Sequence, residues 1–108
     1  MPIRREVGDR AGEAVTLNNI GAIRFRQGDL EGARSTLRGV LELIRAVGDP
    51  VAETQVSYNL AVLLHQMGRA DEAVTFLTQA VALAERTGHP ELGQMQAFRS
   101  QIEGTGKG

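Results

Sequence analysis

At 108 residues the chain holds one modest domain, of a size that buries about two-thirds of its unfolded surface. Its net charge of −1, from 12 basic and 13 acidic residues, supplies no field to draw in nucleic acid or an anionic membrane. The absence of cysteine excludes a disulfide framework and thiolate chemistry. The short, interrupted apolar segments and the start Met1-Pro2-Ile3-Arg4-Arg5-Glu6 lack the long apolar stretch of a signal peptide, so a cytoplasmic protein is expected.

The chain repeats itself every 40 residues. Gly8-Asp9, Gly48-Asp49 and Gly88-His89 share one register, and between them Asn19 matches Asn59, Gly28 matches Gly68, Ala33 matches Ala73, Leu37 matches Leu77 and Leu43 matches Leu83. A fixed period of this length marks a solenoid of stacked supersecondary units. At the N-terminus Ile3, Arg5 and Val7 align with Leu43, Arg45 and Val47, so residues 3–7 read as the last turn of a preceding helix in a partial unit 1–7, as in a larger array that has been cut or a gene that begins with a degenerate remnant. Repeats are expected over 8–47 and 48–87, each of two helices, followed by a terminal capping helix at 88–103 and a flexible tail at 104–108.

The punctuation places the helices at about 10–27, 30–47, 50–67, 70–87 and 90–103. Gly28, Gly48, Gly68 and Gly88 each follow an apolar-periodic stretch, where a left-handed C-terminal cap needs glycine. Asp49-Pro50 reads as an N-cap followed by proline in the first helical position, and His89-Pro90 repeats the proline. Asp29 directly after Gly28 can cap the next helix, so the turn is short and the two helices run antiparallel.

Within the helices, Leu17, Ile20, Gly21 and Arg24 are followed by Ala33 and Leu37; Ser57, Leu60, Ala61 and Leu64 are followed by Ala73 and Leu77. This pattern resembles the tetratricopeptide repeat, in which small residues sit where the two helices of a hairpin cross. The period of 40 and the Gly-Asp, Asn19-Ile20-Gly21 and Asn59-Leu60-Ala61 steps are similar to the 40–42-residue class of kinesin light chains and bacterial signalling regulators. Large aromatics common in the family are absent at Leu17, Ser57, Arg24 and Leu64. The resemblance implies an all-α, right-handed superhelix of antiparallel hairpins, about five helices in all. It also implies a protein–protein interaction scaffold that binds a peptide or helix in a concave groove.

The first helix of each hairpin would line that groove. One face carries Val15, Asn18, Asn19, Ala22, Phe25 and Arg26; the next carries Gln55, Tyr58, Asn59, Val62, His65 and Gln66; the last helix offers Met95, Phe98, Arg99 and Ile102. Asn19, Asn59 and Arg99 share a register, with amides suited to hold an extended peptide backbone and a guanidinium suited to a carboxylate. In family members that clamp a C-terminal carboxylate, Asn59 and Arg99 fall on clamp positions. Asn18, Ala22 and Met95 stand where Lys, Asn and Lys are expected, so the clamp itself is not supported. The alternative is that the asparagines merely hydrogen-bond within the stack and stiffen it.

Catalysis, a cofactor and a metal site are not expected. His65 and His89 stand 24 residues apart with no partner at metal-ligand or triad spacing, and Gly104-Thr105-Gly106-Lys107-Gly108 lacks the strand and helix that flank a phosphate loop. Four aromatics are too few for a nucleic-acid face. The second functional reading is a structural self-association module, most simply a homodimer through the uncovered N-terminal end or the Phe98–Ile102 stripe. Ala97, Ser100, Gln101 and Gly104, by contrast, form a side of the last helix polar enough to meet water.

Overall fold

The computed structural model describes the backbone of residues 2–107 and the side chains of residues 12–104. Five helices follow one another: α1 (Pro2–Arg26), α2 (Leu30–Val47), α3 (Pro50–Gln66), α4 (Ala70–Thr87) and α5 (Leu92–Lys107). They divide into two compact units that meet in sequence at Asp49-Pro50, α1 and α2 in the first, α3 to α5 in the second. In the first unit α1 packs on α2; in the second α4 packs on both α3 and α5. The architecture is all-α, built from antiparallel hairpins.

Helix ends recur every 20 residues because one capping device recurs. Gly48 and Gly88 close α2 and α4 at φ 82° and 65°, a left-handed conformation that costs a side-chain-bearing residue about 1 kcal/mol or more. Gly28 and Gly68 do the same for α1 and α3. The residue after each glycine then donates its N–H to the carbonyl five positions back: Asp29 to Arg24, Arg69 to Leu64 and His89 to Ala84 at 2.9 Å, and Asp49 to Ile44 at 3.5 Å. Satisfying those orphan carbonyls reverses the chain within three residues.

Helix starts are less uniform. Asp29 caps α2, its carboxylate accepting from the Gly32 N–H at 2.9 Å, whereas Arg69 at the start of α4 provides no side-chain cap. Pro50 opens α3 as its first residue. Pro90 does not open α5, which begins at Leu92. The His89 ring Nδ1 accepts the Glu91 N–H at 3.1 Å and holds a turn over Pro90 and Glu91 first.

The core follows the repeat. Ala33, Leu37, Val40, Leu41 and Ile44 are buried on α2, and their mates Ala73, Leu77, Ala80, Val81 and Ala84 are buried on α4. Each set covers one helical stripe. Among the described residues of α1 only Ala14 and Gly21 are buried, while α3 buries Thr54, Val56, Ser57, Leu60, Ala61, Leu63 and Leu64 over about half of its circumference. Thr54 satisfies its hydroxyl on the Pro50 carbonyl at 2.8 Å. The Ser57 hydroxyl is buried without a hydrogen-bond partner.

Two expected boundaries change. α1 runs unbroken from Pro2, so residues 3–7 are not the end of an earlier helix and Gly8-Asp9 is not a turn. The position matching Pro50 and Pro90 is Arg10, which keeps its amide hydrogen and lets the helix continue. At the other end α5 continues through Lys107, so residues 104–107 belong to a helix instead of a loose tail; Gly108 lies outside the described residues.

Candidate protein-interaction surface

Tyr58 and His65 are seven residues apart on α3, two helical turns, and so project from one side. The Phe98 ring of α5 meets both edge-to-face, with centroids 6.2 Å from Tyr58 at 74° and 5.4 Å from His65 at 86°. Such a geometry sets the positive edge of one ring on the negative face of another, worth about 0.5–1.5 kcal/mol per pair beyond burial. All three side chains are half-buried, so the trio presents part of its ring surface to solvent.

Around it α3 adds amides and an aliphatic side chain. Gln55 Nε2 donates to Asn59 Oδ1 at 3.2 Å, one turn along the helix, and Val62 stands one turn beyond Tyr58. Gln55, Asn59 and Val62 are half-buried and Gln66 is exposed. The bond occupies the Asn59 carbonyl and leaves its N–H donors available.

On α5 the expected groove set separates. Met95 and Ile102 are 0% and 2% exposed and belong to the core of the second unit, not to a groove. Phe98 and Arg99, both half-buried, flank that buried ridge about 100° apart on the helix. The Phe98–Ile102 stripe therefore offers no continuous apolar contact for a second chain. Arg99 makes no ion pair among the described residues. Ala97, Ser100, Gln101 and Gly104 are exposed, as their polarity suits.

In the first unit Val15, Asn19, Ala22, Phe25 and Arg26 are exposed on α1 and Asn18 is half-buried. Ile23, 50% exposed, joins this surface, although its repeat mate Leu63 is 1% exposed. Arg24, on the α2 side, donates to the Thr36 hydroxyl at 3.2 Å, and that hydroxyl donates to the Gly32 carbonyl at 2.8 Å.

His65 lies edge-to-face against the Phe98 ring, and His89 Nδ1 accepts from the Glu91 backbone. Among the described residues no group of three His, Cys, Asp or Glu is placed to hold a metal ion, and no helix is long and apolar enough to cross a membrane. What the α3–α5 surface offers is apolar ring area beside amide donors and acceptors, the chemistry of peptide contact.

No curated protein matches the chain. A family model described as tetratricopeptide repeat matches residues 12–86. That span takes in α2, α3, nearly all of α4 and the described side chains of α1, which are the elements carrying the repeated small and large core positions. The chain belongs to the tetratricopeptide repeat family, whose members generally mediate protein–protein interactions and are generally non-enzymatic.

Proposed function

We propose that the chain is a cytoplasmic, non-catalytic interaction module that binds a peptide segment or a helix of a partner protein across α3 and α5 of its second unit. The observation that carries this reading is the half-buried Phe98 ring held edge-on by Tyr58 and His65. Rigid aromatic side chains supply contact area at low cost in conformational entropy, and packing fixes these three before a partner arrives. Val62 extends the apolar area, while Asn59 and Gln55 supply backbone-directed hydrogen bonds. Arg99, on the far flank of the α5 ridge, would meet a carboxylate only at the margin of such a contact. On α1 of the first unit, Asn18, Asn19, Phe25 and Arg26 would serve the same chemistry. The second reading, a purely structural role, draws support from the Gln55–Asn59 bond, which uses amide capacity inside one helix.

Selection of binders from a displayed peptide library tests the proposal. Tyr58→Ala and Asn59→Ala should weaken the selected peptides by about tenfold or more, near 1.4 kcal/mol. Asn59→Ala should leave the melting temperature almost unchanged. Unaltered affinity together with a large loss of stability in Asn59→Ala would favour the structural role.

A further inference from the structure

The corner between α4 and α5 departs from the repeat at one residue. Gly28 and Gly48 are each followed by aspartate, and the Asp29 carboxylate accepts a backbone N–H as the cap of α2; Gly88 is followed by His89. An imidazole takes the acceptor's part there. His89 Nδ1 accepts the Glu91 N–H at 3.1 Å, the His89 carbonyl accepts the Leu92 N–H at 3.2 Å, and α5 begins at Leu92. A backbone N–H can only donate, so this bond requires a lone pair on Nδ1 and a neutral ring with its hydrogen on Nε2. Imidazolium carries a hydrogen on both nitrogens and cannot make it. His89 has no ion pair among the described residues. The other charged groups at this corner are Glu85 and Arg86 at the end of α4, Glu91 in the turn, and Glu53 in the first turn of α3, which runs antiparallel to α4 and so begins at the same end. The second imidazole that meets α5 is His65, against Phe98. Of these kinds of side chain only imidazole ordinarily changes charge between about pH 5 and 8.

We propose that His89 is a pH-sensitive latch on the start of α5: neutral, it holds the turn over Pro90 and Glu91, and protonated, it releases that turn. As the pH falls the acceptor is lost and the Glu91 N–H donates to water instead. The new charge acts in the same direction. Free N–H groups at the start of α5 repel a cation and the last carbonyls of α4 attract one, so both helix ends draw the charged ring away from Glu91. The latch is therefore closed at high pH and opens as the pH falls through the range of the ring. A carboxylate in its place would stay an acceptor throughout. α5 is lightly anchored: Met95 and Ile102 are its only buried side chains among the described residues. Phe98, which meets Tyr58 and His65, rides on the same helix, so loosening its start reaches the aromatic cluster. The consequence for partner binding rests on the peptide surface proposed above; the latch itself does not.

A pH titration of the isotope-labelled chain by nuclear magnetic resonance tests the latch without a peptide. The Glu91 amide signal should move with the midpoint of the His89 ring and not with that of the His65 ring. At about pH 5.5 the Glu91 and Leu92 amides should be about three- to tenfold less protected from exchange in the parent than in His89→Asn, whose side-chain oxygen accepts the same N–H at every pH. At about pH 8 the two proteins should be equal. His89→Ala, without an acceptor, should show the weaker protection at both. In a His65→Gln background His89 is the only imidazole left, and Tyr58 is the only tyrosine in a chain without tryptophan. The near-ultraviolet circular dichroism of Tyr58 should still change between the two pH values there, and adding His89→Asn should abolish the change. A Glu91 amide that follows His65 or does not titrate, a response retained in His89→Asn, or a Tyr58 signal indifferent to pH would each overturn the inference. Failure to select any peptide would count against the binding surface alone.

Discussion

The Asp29 carboxylate occupies the space that a β-carbon on Gly32 would need. The Gly32 N–H donates to Asp29 Oδ1 at 2.9 Å, and an added β-carbon would collide with the other carboxylate oxygen. As this carboxylate is placed, it would have to shift for a side chain at position 32. In the second unit the matching pair is Arg69 and Glu72, and α4 begins without a side-chain cap.

That coupling is measurable. Asp29→Ala should cost about 1 kcal/mol through the lost cap. Gly32→Ala alone should also destabilise the chain, yet in the Asp29→Ala background it should gain about 0.5–1 kcal/mol of helix propensity. Urea titrations of the four proteins should thus give a strongly non-additive cycle; additive effects would refute the coupling.

Gly21 is buried, and a β-carbon there would lie 3.5 Å from the Thr36 methyl and 3.6 Å from Leu37, ordinary contact distances. Gly21→Ala should therefore stabilise the first hairpin by about 0.5–1 kcal/mol, as its mate Ala61 already does in the second. Ala73, with no exposed surface, has no such room on the sequence pattern of a close crossing. Ala73→Leu should cost about 1–3 kcal/mol by overpacking, read as a fall in melting temperature.

The Ser57 hydroxyl is buried and unpaired where the matching residue of the first unit is Leu17. Removing an unsatisfied buried group relieves its desolvation cost, so Ser57→Ala should raise stability by about 1 kcal/mol in chemical denaturation. A loss of stability would mean that the hydroxyl has a partner after all.

His65→Ala and Phe98→Ala should show a coupling of about 0.5–1.5 kcal/mol in a double-mutant cycle, from their edge-to-face contact. The control pair Gln66→Ala and Phe98→Ala should show none, because Gln66 is exposed.

Much of this fold is written in local chemistry. The glycine at each helix end acts through its own φ angle, so Gly28, Gly48, Gly68 and Gly88 could be read in the sequence alone. So could Asp29, whose cap reaches only three residues along the chain. The start of α5 could not: the His89 ring accepts the Glu91 N–H and the His89 carbonyl accepts the Leu92 N–H in a turn over Pro90 and Glu91, so the helix begins two residues later than the proline suggests. Gly8-Asp9 misled for the opposite reason: glycine weakens a helix, but without a following proline nothing forbids it. In the candidate site, the shared side of Tyr58 and His65 follows from spacing. That Phe98 bridges them while Met95 and Ile102 turn into the core depends on how α5 is rotated against its neighbours, which no pattern within α5 specifies. Ile23 is exposed while its repeat mate Leu63 is buried, a difference that the repeat alignment does not carry.

The helix cap at Gly48 is assembled from residues 44–49, and the same bonds recur at Gly88 from residues 84–89. A gene segment of 120 nucleotides excised or copied in frame within the repeats therefore joins chain to chain at an equivalent backbone position, with the reversal signal intact. Length change by whole units asks nothing new of the junction, while an insertion of any other size must break a helix or a cap. Modularity in this protein is a property of its corners.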